Sequence, residues 1–222
     1  MANPILVEIT RGALVESVHR GSIAIADAEG AIRFALGDIE TPVYPRSALK
    51  PIQALPLIES GAAEAFGVND AEVVLACASH SGEPMHTQRI AGWLARIGCS
   101  ETDLACGPQV PRHIPTSEAM ARHGNKPGRI HNNCSGKHAG FITLARYLNV
   151  AVAGYERVDH PVQQAVATSL RALSGVSELP WGIDGCAAPN FALPLAGFAR
   201  ALAKLAGGRT KGAARILRSM IA

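Results

Sequence analysis

Lysine is scarce in this chain. Five lysines stand against 16 arginines in 222 residues, and the formal net charge is only +3. The positive charge gathers into no stripe with interleaved aromatics, so the footprint of a nucleic-acid-binding protein is missing. No apolar run approaches the length needed to cross a bilayer. Residues Met1 to Glu8 lack a basic segment and a long apolar core. No secretory signal is visible there, and the expected compartment is the cytoplasm. The five cysteines, Cys77, Cys99, Cys106, Cys134 and Cys186, form no C-x-x-C pair. A disulfide framework and a zinc ribbon are both excluded, and any metal site must be assembled from distant residues. Repeats and low-complexity linkers are also lacking, which points to one domain over 1–222.

What is present is ordinary globular material, with 48% apolar and 18% charged residues, enough to bury a sizeable core. Residues 4–36 read as strands. Two short β-favouring runs flank Arg11-Gly12, and two more flank Ala28-Glu29-Gly30, so an antiparallel meander is expected. Residues 45–222 read as helices and loops. Helices are expected from Ser47 towards Gly61 (kinked or shortened by Pro56), over Pro84–Ile97, Ser117–His123, Lys137–Leu148, from Pro161, over Phe191–Leu205, and from Lys211 to Ala222. The Gly- and Pro-rich stretch Cys99–Gly128 suits the shaping of a pocket. The last helix stops without a glycine or polar cap, as if the chain were the front part of a longer protein.

Chemistry concentrates at Tyr44-Pro-Arg-Ser-Ala-Leu-Lys-Pro51. Pro45 suits a helix entrance, and Ser47 and Lys50 stand one turn apart on one face. A serine nucleophile needs a base within reach, and a lysine serves only when burial or neighbouring cations such as Arg46 lower its pKa. The plainer reading is an N-cap serine followed by a solvated lysine. Three further polar clusters lie where apolar runs meet turns: Ser79/His80/Ser81, Cys134/Lys137/His138 and Asp184/Cys186. Singly, each has a structural explanation as turn chemistry or as a small buried side chain. Yet two of the five lysines, Lys50 and Lys137, fall inside the four clusters, and such junctions are where clefts form.

The strings Pro-Arg-Ser47-Ala-Leu-Lys50-Pro, Ala-Ser79-His-Ser81-Gly, His131-Asn-Asn-Cys134-Ser-Gly-Lys137-His138-Ala-Gly and Gly-Ile-Asp184-Gly-Cys186 occur in order. Together they resemble the asparaginase II family, the rhizobial type of L-asparaginase, over essentially all of residues 4–205. The resemblance implies an α/β (α+β) fold like that of serine β-lactamases and glutaminases, an antiparallel sheet with helices. Its C-terminal strands would be missing here, and so would a downstream lysine as partner for Ser79. It further implies a cytoplasmic homodimer that hydrolyses L-asparagine to L-aspartate and ammonia. Ser47 would be the nucleophile or its immediate partner, Lys50 its base, and Ser79 half of a second Ser-Lys pair. Cys134, Lys137 and Cys186 would hold an accessory zinc ion, with Arg46, His138 and Asp184 lining the substrate pocket. On charge alone, Arg46 or Lys137 would meet the substrate carboxylate and Asp184 its ammonium.

Other chemistries remain open on the residues themselves. One is a β-lactamase-like or peptidase-like acyl-serine hydrolase. Another is a silent chain that binds only amino acid or zinc. A third uses Cys134 with His138, one helical turn apart, as a thiol nucleophile pair.

Overall fold

The computed structural model describes residues 3–221 as a mixed α+β protein built from small antiparallel ladders and many helices. Strands β1 (Ile5–Arg11) and β2 (Leu14–Arg20) form one hairpin, and β3 (Ile23–Ala26) and β4 (Ile32–Leu36) form a second. The expected meander is thus two separate two-stranded ladders. Every residue of β1 and β2 is exposed. The short strand β5 (Pro42–Val43) then leads to a 3₁₀ turn at Arg46–Leu49.

Where one kinked helix was expected after Ser47, the chain makes three short ones: α1 (Lys50–Gln53), α2 (Leu55–Glu59) and α3 (Ala62–Ala65). Pro51 and Pro56 each open one of them. A proline has no N–H to give and fits only a first turn, so each restarts the helix. Helix α4 (Asp70–Cys77) begins with a capping box in which the Asn69 side chain accepts from the Glu72 N–H and Glu72 accepts from the Asn69 N–H. Helices α5 (Pro84–Arg96) and α6 (Ile114–Arg122) follow, each with a proline in its first turn.

The chain is organised in space around α7 (Ser135–Tyr147), whose residues from Ser135 to Ala145 are all buried. A helix buried on every side has no apolar stripe. Small residues let its neighbours approach instead. A Cβ on Gly136 would lie 2.4 Å from the Leu75 carbonyl oxygen of α4, so only glycine fits there. Helices α2, α3, α4, α5 and α8 (Pro161–Ser174) all pack against α7.

Short strands appear inside the region read as helix and loop. The hairpin of β6 (Trp181–Ile183) and β7 (Pro189–Phe191) carries the turn at 184–188. Strand β8 (Leu193–Pro194) pairs with β5, tying the chain before Arg46 to the start of α9 (Leu195–Ala206). Helix α10 (Lys211–Ile221) packs on α4, α2 and α9, and Ala222, its expected last residue, lies outside the described residues. No helix among the described residues is long and apolar enough to cross a membrane.

Candidate active site

Four segments converge on one cleft of about 240 Å³: the Arg46–Leu49 turn, the turn before α7, the β6–β7 turn, and the loop that carries Gln109 and Arg112. Ser47, Cys134, Asp184 and Cys186 all line it. The first of these segments is strained, since Arg46 adopts φ +55°. A non-glycine residue there costs roughly 1–3 kcal/mol and persists only where the surroundings enforce it.

Lys50 lies inside the protein, 2% exposed, behind two surface hydroxyls. Its Nζ donates to the Ala78 carbonyl at 2.9 Å and to Ser79 Oγ at 2.7 Å. Ser79 Oγ in turn donates to Ser47 Oγ at 3.1 Å. The geometry differs from the sequence reading in one respect. The amine reaches Ser79 from the end of α4, and Ser79 reaches Ser47, so the described residues already give Ser79 a lysine. Lys50 closes the Arg46–Leu49 3₁₀ turn, its N–H donating to the Ser47 carbonyl, and opens α1, from where its side chain runs inward to the C-terminus of α4. Burial holds the Lys50 pKa below its ordinary value. An amine with no carboxylate beside it, in a dry setting, is pushed towards its neutral form.

The Ser79 turn is fixed from below. The His80 ring is 5% exposed, accepts from the Gly82 N–H at Nδ1 (3.1 Å), and bonds Ser135 Oγ through Nε2 (2.8 Å). With Nδ1 accepting, Nε2 carries the proton, and burial pushes the ring pKa down to about 4. The His80 N–H also donates to Asn133 O. These bonds join the turn that carries Ser79 to the turn that carries Cys134.

At the start of α7, Cys134, Lys137 and, from the β6–β7 turn, Cys186 come together, all nearly fully buried. Lys137 Nζ donates to Cys186 Sγ at 3.1 Å. The two thiols perturb each other: the neighbouring Cys134 thiol pulls the Cys186 pKa down, while Cys186 and burial push that of Cys134 up. Among the described residues no hydrogen bond links Cys134 to His138, whose Nδ1 pairs with the Tyr155 hydroxyl and whose Nε2 has no partner, which removes the basis for a Cys134–His138 nucleophile pair. Among the described residues no three His, Cys, Asp or Glu side chains are grouped to hold a metal ion. A metal here would need Lys137 as its third donor. Two soft sulfurs and an amine fit zinc by donor chemistry.

His138 was expected to line the pocket, and the structure places it elsewhere. It is fully buried, with Nδ1 2.6 Å from the Tyr155 hydroxyl. Because α7 is enclosed on all sides, its fourth residue faces the interior and not the cleft. Arg46 and Asp184 do lie at the cleft but meet each other, at 2.8 Å. Sequence reasoning missed Gln109, Arg112, Asn132 and Asn133 at the cleft and Tyr155 behind it. The two asparagines sit in the string next to Cys134, and Gln109 and Arg112 lie in the Gly- and Pro-rich stretch, which was the available signal.

A buried amine linked through one hydroxyl to a second, exposed at a polar cleft, is the equipment of an acyl-transferring hydrolase with an oxygen nucleophile. A sequence profile of the L-asparaginase II family matches residues 7–222. The chain belongs to that family, which places it among the asparaginase-type amidohydrolases. Among curated proteins no match was found.

Proposed function

We propose that the protein hydrolyses the side-chain amide of L-asparagine to L-aspartate and ammonia through an acyl-enzyme on Ser47. The observation that carries this reading is the Lys50–Ser79–Ser47 chain opening on the cleft. With Lys50 neutral, both hydroxyls rotate so that the chain runs the other way: Ser47 donates to Ser79, and Ser79 to the amine. Ser47 Oγ bonds to the amide carbon while its proton passes through Ser79 to Lys50. Backbone N–H groups at the start of the Arg46–Leu49 turn face the developing oxyanion, at about 3–4 kcal/mol per donor in comparable sites. The C–N bond then breaks, the proton returns along the chain, and ammonia leaves. Water, deprotonated by the same chain, cleaves the Ser47 ester to release aspartate. The Ser-x-x-Lys spacing, with Lys50 buried beside a second hydroxyl, supports a relationship to the serine β-lactamase and glutaminase architecture.

Cys134, Lys137 and Cys186 would hold zinc at the wall of this cleft, where it would supply positive charge and order for substrate binding. The thiols and the amine lie beside Ser47 and not in its proton path, so the hydrolytic steps belong to the oxygen and amine groups alone.

The test is ammonia release from L-asparagine by the purified chain, with and without added zinc, beside Ser47→Ala. The variant should lose activity by about a thousandfold or more, with little change in melting temperature because Ser47 is exposed. Bound zinc, measured as metal content, should fall in Cys186→Ser. Full activity in Ser47→Ala removes the nucleophile assignment.

A further inference from the structure

The cations around this cleft are not equally engaged. Lys50 is bonded to Ala78 and Ser79, and Lys137 to Cys186. The guanidinium of Arg46 is held by Asp184. Arg112 also lines the cleft. Among the described residues it makes neither an ion pair nor a side-chain hydrogen bond, and it is exposed in the cleft that Ser47 also lines.

Its backbone is nevertheless fixed. Before it, Gln109 Oε1 accepts from the Asn133 N–H at 3.3 Å, and the Gly107 carbonyl accepts from Asn132 Nδ2 at 2.9 Å. Beside it, Pro111 is buried against Gly82, where an added Cβ would lie only 3.1 Å from the proline. After it, the His113 N–H donates to the Ser81 carbonyl at 3.1 Å. The loop is thereby stitched to both the turn that carries Ser79 and the turn that carries Cys134. Arg112 is presented to the cleft from a held position.

The charge pattern indicates what it meets. Lining the cleft are two guanidiniums, on Arg46 and Arg112, and one carboxylate, on Asp184. Asp184 uses Oδ1 for Arg46 and for the Gly185 N–H, while its Oδ2 has only a weak 4.0 Å contact from the Cys186 thiol. The cleft therefore has a surplus positive charge at Arg112 and an accepting oxygen at Asp184. An amino-acid amide offers the complement: a carboxylate for the first, an ammonium for the second, and an amide carbon for Ser47. A guanidinium fork takes a carboxylate with two parallel hydrogen bonds, which fixes orientation as well as charge.

We propose that Arg112 binds the free α-carboxylate of the substrate and so determines specificity, restricting the cleft to amides of amino acids whose α-carboxylate is unmodified. The inference rests on the amidohydrolase reading above. It replaces Arg46 and Lys137, both already engaged, as carboxylate partner. Asparagine within a peptide, or with its carboxylate esterified, lacks the group Arg112 recognises and is a poor substrate.

The experiment compares wild type, Arg112→Gln and Arg112→Lys on L-asparagine and on L-asparagine methyl ester, with L-aspartate binding measured by calorimetry. In Arg112→Gln the KM for L-asparagine should rise about ten- to a hundredfold with kcat within about threefold, the loss of one charge-assisted contact. The already poor KM for the ester should stay within about threefold. L-aspartate binding should weaken by the same factor as L-asparagine, and Arg112→Lys should recover part of both. A loss of equal size on acid and ester, or no loss on either, overturns the assignment while leaving the amidohydrolase reading intact. A wild-type chain that neither releases ammonia nor binds L-aspartate overturns the underlying reading itself.

Discussion

Replacing Ser79 with alanine separates a relay from a direct pair. In the structure the Lys50 amine and the Ser47 hydroxyl share no hydrogen bond. Ser79 Oγ stands between them, 2.7 Å from one and 3.1 Å from the other. Removing it leaves Lys50 on the Ala78 carbonyl and leaves Ser47 with no route to a base. General-base assistance is worth about 10²–10⁴ in rate, so the barrier should rise by about 3–5 kcal/mol. The effect on stability should be far smaller. Ser79 is exposed, and one exchanged hydrogen bond costs about 1 kcal/mol, which for a domain of this size lowers the melting temperature by about 2–4 °C. The assay is kcat for ammonia release from L-asparagine with a thermal melt on the same sample, repeated in Ser47→Ala and in the double variant. If both hydroxyls act as one unit, the double variant is no worse than the worse single one. A Ser79→Ala protein that stays folded and keeps kcat within about threefold refutes the relay and restores a direct Ser47–Lys50 pair.

Gly136→Ala should lower stability by about 3 kcal/mol, because the new methyl meets backbone of α4 at 2.4 Å and neither helix can turn a rotamer aside. Gly140→Ala, whose methyl would first meet a Leu57 side chain at 3.4 Å, should be much milder, and thermal melts of the two side by side check this. The pH profile follows from Lys50, whose pKa lies below the ordinary 10.5 because burial disfavours the ammonium. Activity should therefore rise with pH through a midpoint under 10.5, as the amine becomes neutral. Stability should rise over the interval from that midpoint to 10.5, where the unfolded chain still binds the proton that the folded one has lost. Lys50→Met should abolish both rises, and rate and melting profiles over the same buffers would show it.

Local signals in the sequence located most of the helices. Pro84 and Pro161 stand in first turns, where their missing N–H costs nothing, and the spacing of apolar residues marks the buried faces of α5 and α8. The four polar strings were equally legible as candidates, and the cleft brings together at least one residue from the Ser47, Cys134 and Asp184 segments. What escaped was whatever depends on pairing at a distance. Strands β5 and β8 are two residues each, too short to carry an alternation, and become strands only because each finds the other. The meander divides because nothing in residues 4–36 fixes which strand edges remain unpaired.

The same limit governed the chemistry. Helical spacing places Ser47 and Lys50 on one face, and that inference is sound for a regular helix. The segment is helical here, a 3₁₀ turn running into α1, yet the Lys50 amine bonds to Ala78 and Ser79, so the choice of its partner falls to the segment that packs against it. Gly136 settles that choice: by letting α4 touch α7 backbone to backbone, it brings the Ala78–Ser79 end of α4 over the start of α7, within reach of the amine. His138 shows the converse. Its distance from Cys134 along the chain suits a shared polar face, but a helix enclosed by five others has no solvent side to turn it towards, so it meets Tyr155 instead. The position of a reactive group in this fold is therefore set less by its own motif than by the small residues that decide how closely the neighbouring helices approach.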